Sequence, residues 1–120
     1  MVDSRASAAL DRTFRALASG PRREILRRVA TLQRTVTELA EQFDMSLAAV
    51  SKHVQVLARA ELITIEPDGR RHWCRLNPKA LEPARASIDE LRAFWNEQLE
   101  GLAKFLSKPQ SGSARRRTKP

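Results

Sequence analysis

The amino-acid sequence predicts a mainly α-helical fold with one small β-hairpin, and two observations carry the prediction. Apolar residues recur at steps of three and four through most of the 120 residues, the mark of amphipathic helices. Between residues 62 and 76 the period falls to two on either side of Pro67-Asp68-Gly69-Arg70, the composition of a tight hairpin turn. With 42% hydrophobic and 30% charged side chains and only four glycines, the chain is neither collagen-like nor wholly disordered. Its length allows one domain with a modest core, or one domain and a tail.

Each element has a local reason. Residues 1–7 read as a flexible lead. Leu10, Phe14 and Leu17 then give an amphipathic first helix over about 7–19. Gly20-Pro21 breaks it, and proline suits the opening turn of a second helix whose stripe is Ile25, Val29 and Leu32. Thr35-Val36-Thr37-Glu38 has the form of a capping box and starts a short third helix ending at Phe43. Asp44-Met45-Ser46 follows, with Ser46 as N-cap of a helix buried through Leu47, Val50, Val54 and Leu57. Its opposite face carries Ala48, Ser51, Lys52, Gln55 and Arg59. Residues 62–66 and 71–76 are the strands, and the Asp68-Gly69 pair is the expected turn.

Asn77-Pro78 caps and opens the last helix. There Ala84, Ile88, Leu91, Trp95, Gln98, Leu102 and Phe105 alternate at four and three, a coiled-coil seam widened by Phe94, Leu99 and Leu106. Spanning about 29 residues, it would run roughly 43 Å, longer than a small core covers. It needs a partner, and no repeat or second domain in the chain supplies one.

Charge is uneven. The net charge of +8 includes five basic residues in 108–120, a segment without acids that reads as a disordered basic tail. The domain proper is therefore expected over 8–107, where 17 basic and 14 acidic residues fall within 1–107. The start lacks the apolar stretch of a secretion signal and no run approaches a membrane span, so a cytoplasmic protein with no membrane partner is expected. Cys74 is alone, which rules out an internal disulfide, and no Cys/His cluster builds a zinc module. No glycine-rich phosphate loop appears, and no spacing joins a nucleophile to a base and an orienting carboxylate. No catalytic residue, metal or cofactor is expected. The basic excess points to a polyanion, most often nucleic acid.

Two short helices joined by Asp44-Met45-Ser46, the second exposing small and polar residues, make a helix-turn-helix, and the basic hairpin makes it winged. Ala48 and Ala49 let such a helix enter the major groove of double-stranded DNA, while Ser51, Lys52 and Gln55 are the longer donors that reach base edges and phosphates. Ser46 and His53 complete the candidate contacts of this helix. On the wing, Arg70 and Arg71 stand where guanidinium groups reach a neighbouring minor groove or its phosphates.

The sequence resembles the ArsR (arsenic-repressor-like) bacterial transcription regulators in Val36-Thr-Glu-Leu-Ala40, in Ser46-Leu-Ala-Ala-Val-Ser-Lys-His-Val-Gln-Val-Leu57, in Ala60-Glu-Leu-Ile63 and in Gly69-Arg70-Arg71 through Leu76. Leu10 to Ala18 and Pro21 to Leu26 are similar as well, so the likeness covers about residues 8 to 106. It implies a homodimer that represses by occupying an operator, with the first and last helices paired across a two-fold axis. The candidate dimer residues are Leu10, Phe14, Leu17, Ile88, Leu91, Phe94, Trp95, Gln98, Leu99, Leu102 and Phe105. Metal-sensing members carry a cysteine motif near the recognition element or Asp/His ligands on the last helix. Here residues 35–43 hold no cysteine and the last helix holds no histidine, so the chain is similar to the subgroup without metal ligands. Members of that subgroup often lie beside genes for START-type proteins. The effector stays unnamed.

Competing readings stand beside these. His53 either donates to a phosphate or packs as a hydrogen-bonded histidine among valines. Arg70 and Arg71 either contact DNA or blunt an exposed hairpin edge. Arg22, Arg23, Arg27 and Arg28 read as a solvated helix face, Cys74 as a partly buried strand residue, and Gln98 as a register-setting seam position. At the level of function, the alternatives are a non-sequence-specific architectural DNA-binding protein that relies on the tail, and a winged-helix protein-interaction module.

Overall fold

A computed structural model describes residues 4–107. The elements run α1 (Ser4–Leu17), α2 (Gly20–Thr31), β1 (Arg34–Thr35), α3 (Val36–Phe43), α4 (Leu47–Arg59), β2 (Ile63–Asp68), β3 (Arg71–Leu76), a 3₁₀ turn (Pro78–Leu81) and α5 (Glu82–Ser107). The chain divides between Arg85 and Ala86 into two units. The expected tail at 108–120 lies outside the described residues, and of the expected flexible lead only residues 4–7 are described, as the first residues of α1.

In the first unit, Ile25, Leu39, Val50, Val54, Leu57, Leu62, Ile63 and Cys74 are the largest fully buried side chains. They come from α2, α3, α4 and the sheet, so the core is what clamps the helix pair to the hairpin. The antiparallel sheet has three strands in the order β1-β3-β2. The hairpin was expected, but β1 was not: two residues are too few to show alternation. Thr35 lies opposite Trp73 in this ladder and also caps α3.

Caps explain why the helices start where they do. The Glu38 N–H donates to the Thr35 hydroxyl at 3.1 Å, and the Thr35 N–H donates to the Glu38 carboxylate at 3.0 Å, the reciprocal capping box. The Ser46 hydroxyl accepts from Ala49 N–H at 3.1 Å. Two helix ends use left-handed acidic residues where glycine is usual. Asp44 (φ 54°) ends α3, with Met45 N–H on the Ala40 carbonyl and Asp44 N–H on that of Glu41. Glu61 (φ 63°) follows α4, with Leu62 N–H on Leu57 and Glu61 N–H on Ala58.

Four expectations are corrected. Leu47 is 54% exposed, because in the first turn of α4 it projects beyond the core that buries Val50, Val54 and Leu57. The hairpin register pairs Asp68 with Arg71, so the two-residue turn is Gly69-Arg70 and not Asp68-Gly69. Gly69 has φ 62° while Arg70 does not have positive φ, the signature of a type II′ turn, which takes glycine first. Asn77-Pro78 opens the 3₁₀ turn, with Ala80 N–H on the Asn77 carbonyl at 3.1 Å, and α5 begins only at Glu82. Cys74 is fully buried and not partly so, and burial pushes its thiol up to about 11.

From Ala86 onward the second unit is the continuation of α5. That helix has 26 residues, about 39 Å at 1.5 Å per residue. Its seam residues beyond Ala84, together with Phe94 and Leu99, are exposed; the large apolar ones from Ile88 to Phe105 lie between 51% and 65% exposed.

Candidate nucleic-acid interface

The Asp44 turn sets α4 on α3, and the Ser46 cap fixes where its exposed face begins. Ala48, Lys52 and Gln55 are exposed along that face, with Ala49 and Ser51 half-buried at its margins. Between α4 and the wing lies a groove of about 400 Å³, lined by Thr37, Leu47, Ser51, Gln55, Ile65, Arg70 and His72 among others. Leu47, which the sequence pattern places in the core, is thus an apolar wall of this groove beside Ser51 and Gln55. Ser46 spends an acceptor lone pair on the cap and keeps its hydroxyl proton as a donor.

The wing carries its bonded charges on the side away from its tip. Arg75 pairs with Glu66 at 2.8 Å and donates twice to the Gln33 side chain at 3.2 Å. Arg70 and Arg71, at and beside the tip, are exposed and make no side-chain hydrogen bond or ion pair among the described residues; the same holds for Lys52. These three cations are free to meet a polyanion, and none must break an internal bond to do so.

His53 is half-buried on α4, with its Nδ1 3.4 Å from Nη1 of Arg22. A guanidinium only donates, so Nδ1 accepts and the ring proton is assigned to Nε2. Partial burial, and then the Arg22 charge, hold this histidine below its ordinary value of 6.5.

The arginines of α2 are the solvated face expected only at Arg23 and Arg27, whereas Arg22 and Arg28 are half-buried, and all four are bonded. Arg22 donates through Nε to the Ala16 carbonyl at 2.8 Å and through Nη2 to that of Arg15 at 3.0 Å, while Arg23 reaches the Leu17 carbonyl at 2.7 Å. They bond to the last carbonyls of α1, of which that of Arg15 also accepts from the Ala18 N–H at 3.2 Å. Arg28 lies 4.9 Å over the Phe43 ring and donates to Gln42 at 3.1 Å, and Arg27 pairs with Glu24 at 2.7 Å. The only sequence signal was a basic pair directly after Gly20-Pro21.

Of the candidate dimer residues on α1, Phe14 is exposed, Leu10 is half-buried, and Leu17 is partly buried against the core. Those on α5, Gln98 included, are uncovered within their own unit. Among the described residues no group of three or more His, Cys, Asp or Glu could hold a metal ion, and no helix is long and apolar enough to cross a membrane.

A helix pair with a tight left-handed turn, a second helix presenting small and polar residues, and a hairpin with free arginines at its tip define a winged helix-turn-helix DNA-binding regulator. Residues 17–66 match the family described as a helix-turn-helix domain. The chain is 38% identical over 96 residues to the HTH-type transcriptional regulator Rv2034 of Mycobacterium tuberculosis, covering 80% of this chain and 87% of that one. It is 32% identical over 73 residues to the arsenical resistance operon repressor of Staphylococcus aureus, covering 61% and 70%. It therefore belongs to the ArsR family of transcriptional regulators. Among solved structures it is similar to a homodimeric winged helix-turn-helix DNA-binding domain of Mycobacterium bovis, a possible ArsR-family regulator, with TM-score 0.61, 26% identity, and coverage of 75% of this chain and 87% of that one.

Proposed function

We propose that this chain is a homodimeric repressor that occupies a palindromic operator and takes its signal from something other than a metal ion. The observation that carries the dimer is the apolar stripe of α5, Ile88 to Phe105, exposed along its length. A stripe that long costs too much in water to stand uncovered, and a second copy offers the same seam. The solved relative that is homodimeric supports this, and relatives named as repressors support repression. Leu10, Phe14 and Leu17 of α1 join the interface, and Gln98 sets its register.

In this reading Lys52 and Gln55 read base edges or phosphates, Ser46, Ser51 and His53 supply shorter donors, and Ala48 and Ala49 allow close approach. Arg70 and Arg71 hold the flanking phosphates. Metal control is set aside on donor chemistry: α3 and α5 offer neither thiolate nor imidazole, and the one thiol is buried and held protonated. The regulator acts in the cytoplasm, where a bacterial operator is. The folded unit of 8–107 carries specificity, and the basic segment 108–120 adds phosphate affinity without sequence information.

Footprinting of the full chain on its own upstream DNA, with and without zinc, tests the reading. Protection of two half-sites one helical turn apart, about 34 Å, and insensitive to zinc, is expected. A single half-site bound by a monomer, or release by zinc, refutes it. Deleting 108–120 separates the architectural alternative, because an architectural binder loses most of its affinity, whereas the repressor keeps its operator preference and only flattens its salt dependence.

A further inference from the structure

We propose that the concavity where α1, the C-terminal end of α4 and the 3₁₀ turn meet is a binding site for a small amphipathic anion, a carboxylate carried on a short apolar body. The hollow measures about 370 Å³, within the range that takes a small organic ligand. Three cations from three different elements line it: Arg12 of α1, Arg59 at the end of α4 and Lys79 of the 3₁₀ turn. All three are exposed, and none makes a side-chain hydrogen bond or ion pair among the described residues. Other arginines of this unit, Arg22, Arg23, Arg27 and Arg75, are committed to helix carbonyls, to Glu24 or to Glu66, whereas Arg70 and Arg71 of the wing are not.

The one acid in the lining, Glu61, does not relieve them. It has no ion-pair partner among the described residues, and it sits in the left-handed position after α4, where its backbone direction is fixed by the helix end. The uncharged polar groups are already engaged: the Thr13 hydroxyl donates to the Ala9 carbonyl at 3.2 Å and the Asn77 amide to the Glu61 carbonyl at 2.9 Å. What the hollow has left to offer is like charge at the rim and apolar surface from Leu10, Ala60 and Ala80 below. Like charges lining one hollow repel one another until an anion sits among them, and an apolar body gains by displacing water from the apolar lining.

The site lies at the opposite end of α4 from Ser46, some 20 Å away along a 13-residue helix, so a ligand there leaves the reading face open. It bears on a rigid element that carries that face, and on Leu10. The proposal does not depend on the DNA reading, and its test contains no DNA.

The test is isothermal titration of the full chain with octanoate, in parallel with octylamine, octan-1-ol and inorganic phosphate, at low and moderate salt. Saturable binding of octanoate at one site per chain is expected, weakened by salt and undetectable for the other three probes. Arg59→Gln/Lys79→Gln should weaken it about tenfold or more, while the charge-matched Arg27→Gln/Lys104→Gln should leave it unchanged. If the first double variant loses its helical circular dichroism, Lys79→Gln alone is used and should weaken binding about threefold. No saturable binding, as when a second copy fills the hollow, overturns the proposal. So does equal affinity for octylamine or octan-1-ol, which removes the anion, equal affinity for phosphate, which removes the apolar body, or equal affinity in the Arg59/Lys79 variants.

Discussion

Replacing Arg22 with methionine keeps the aliphatic stem but removes a guanidinium that joins three helices, and the cost can be worked from its contacts. The bond to the Ala16 carbonyl, 2.8 Å and partly buried, is charge-assisted, and such bonds contribute about 1.5–3 kcal/mol. The bond to the Arg15 carbonyl is exposed, where water replaces the donor, and contributes about 0.5 kcal/mol. The contact with the neutral His53 ring, at 3.4 Å, is long for a hydrogen bond and adds little. Arg22→Met should therefore destabilise the fold by about 2–3.5 kcal/mol. Urea denaturation followed by circular dichroism, at one fixed protein concentration so that dimer linkage is constant, should show a lower midpoint with an unchanged slope. The same variant should move the His53 titration upward in an NMR pH series, since the Arg22 charge no longer opposes its protonation. A midpoint shift worth less than about 0.5 kcal/mol, in the range of an ordinary surface substitution, would refute the claim that Arg22 closes the end of α1.

The same contacts fix a pH dependence. The folded-state pKa of His53 lies below the ordinary value, so the unfolded chain binds the proton first as pH falls; stability contributed at neutral pH is lost below about 6.5 as the folded pKa is approached, and His53→Gln should flatten that part of a stability-versus-pH curve. Arg70→Ala/Arg71→Ala should lower affinity for all DNA sequences alike and reduce the slope of log affinity against log salt by about 2, whereas loss of base discrimination would mean these arginines read sequence. Leu91→Glu/Trp95→Glu, placing charge in the α5 stripe, should convert the dimer to a monomer in sedimentation velocity, and a persisting dimer would locate the interface elsewhere. Cys74, fully buried with its thiol pushed up to about 11, should react with a thiol reagent at pH 8 only as fast as the fold opens, and fast labelling of the native protein would contradict its burial.

What could be read in advance was local. The Thr35/Glu38 box, the Ser46 cap and the Val50, Val54, Leu57 stripe are each written within a few consecutive residues, and each is present as expected. What could not be read depended on partners distant in sequence or on conformations that carry no residue signature. Arg22 and Arg23 bond to backbone carbonyls, which every residue has, so no side-chain pattern announces them. Asp44 and Glu61 adopt left-handed backbone where glycine would have flagged it. Leu47 fits the helical stripe by spacing, yet the core ends before reaching it. On α4 the exposure of Ala48, Lys52 and Gln55 was legible, but the pairing of His53 with Arg22, which sets its tautomer, was not.

Thr35 belongs to two elements at once: its backbone lies in the ladder against β3, and its side chain and N–H close the first turn of α3. The inner edge of the wing and the first helix of the helix-turn-helix pair therefore share a residue, besides the common core that packs α3 and α4 on the sheet. The distance from the exposed face of α4 to the wing-tip arginines is thus settled when the protein folds, and in the proposed repressor the entropy of setting it is not charged to the binding step. On that proposal the pair of contacts selects DNA by groove width and spacing as well as by base edges, rejecting a duplex that cannot meet both together.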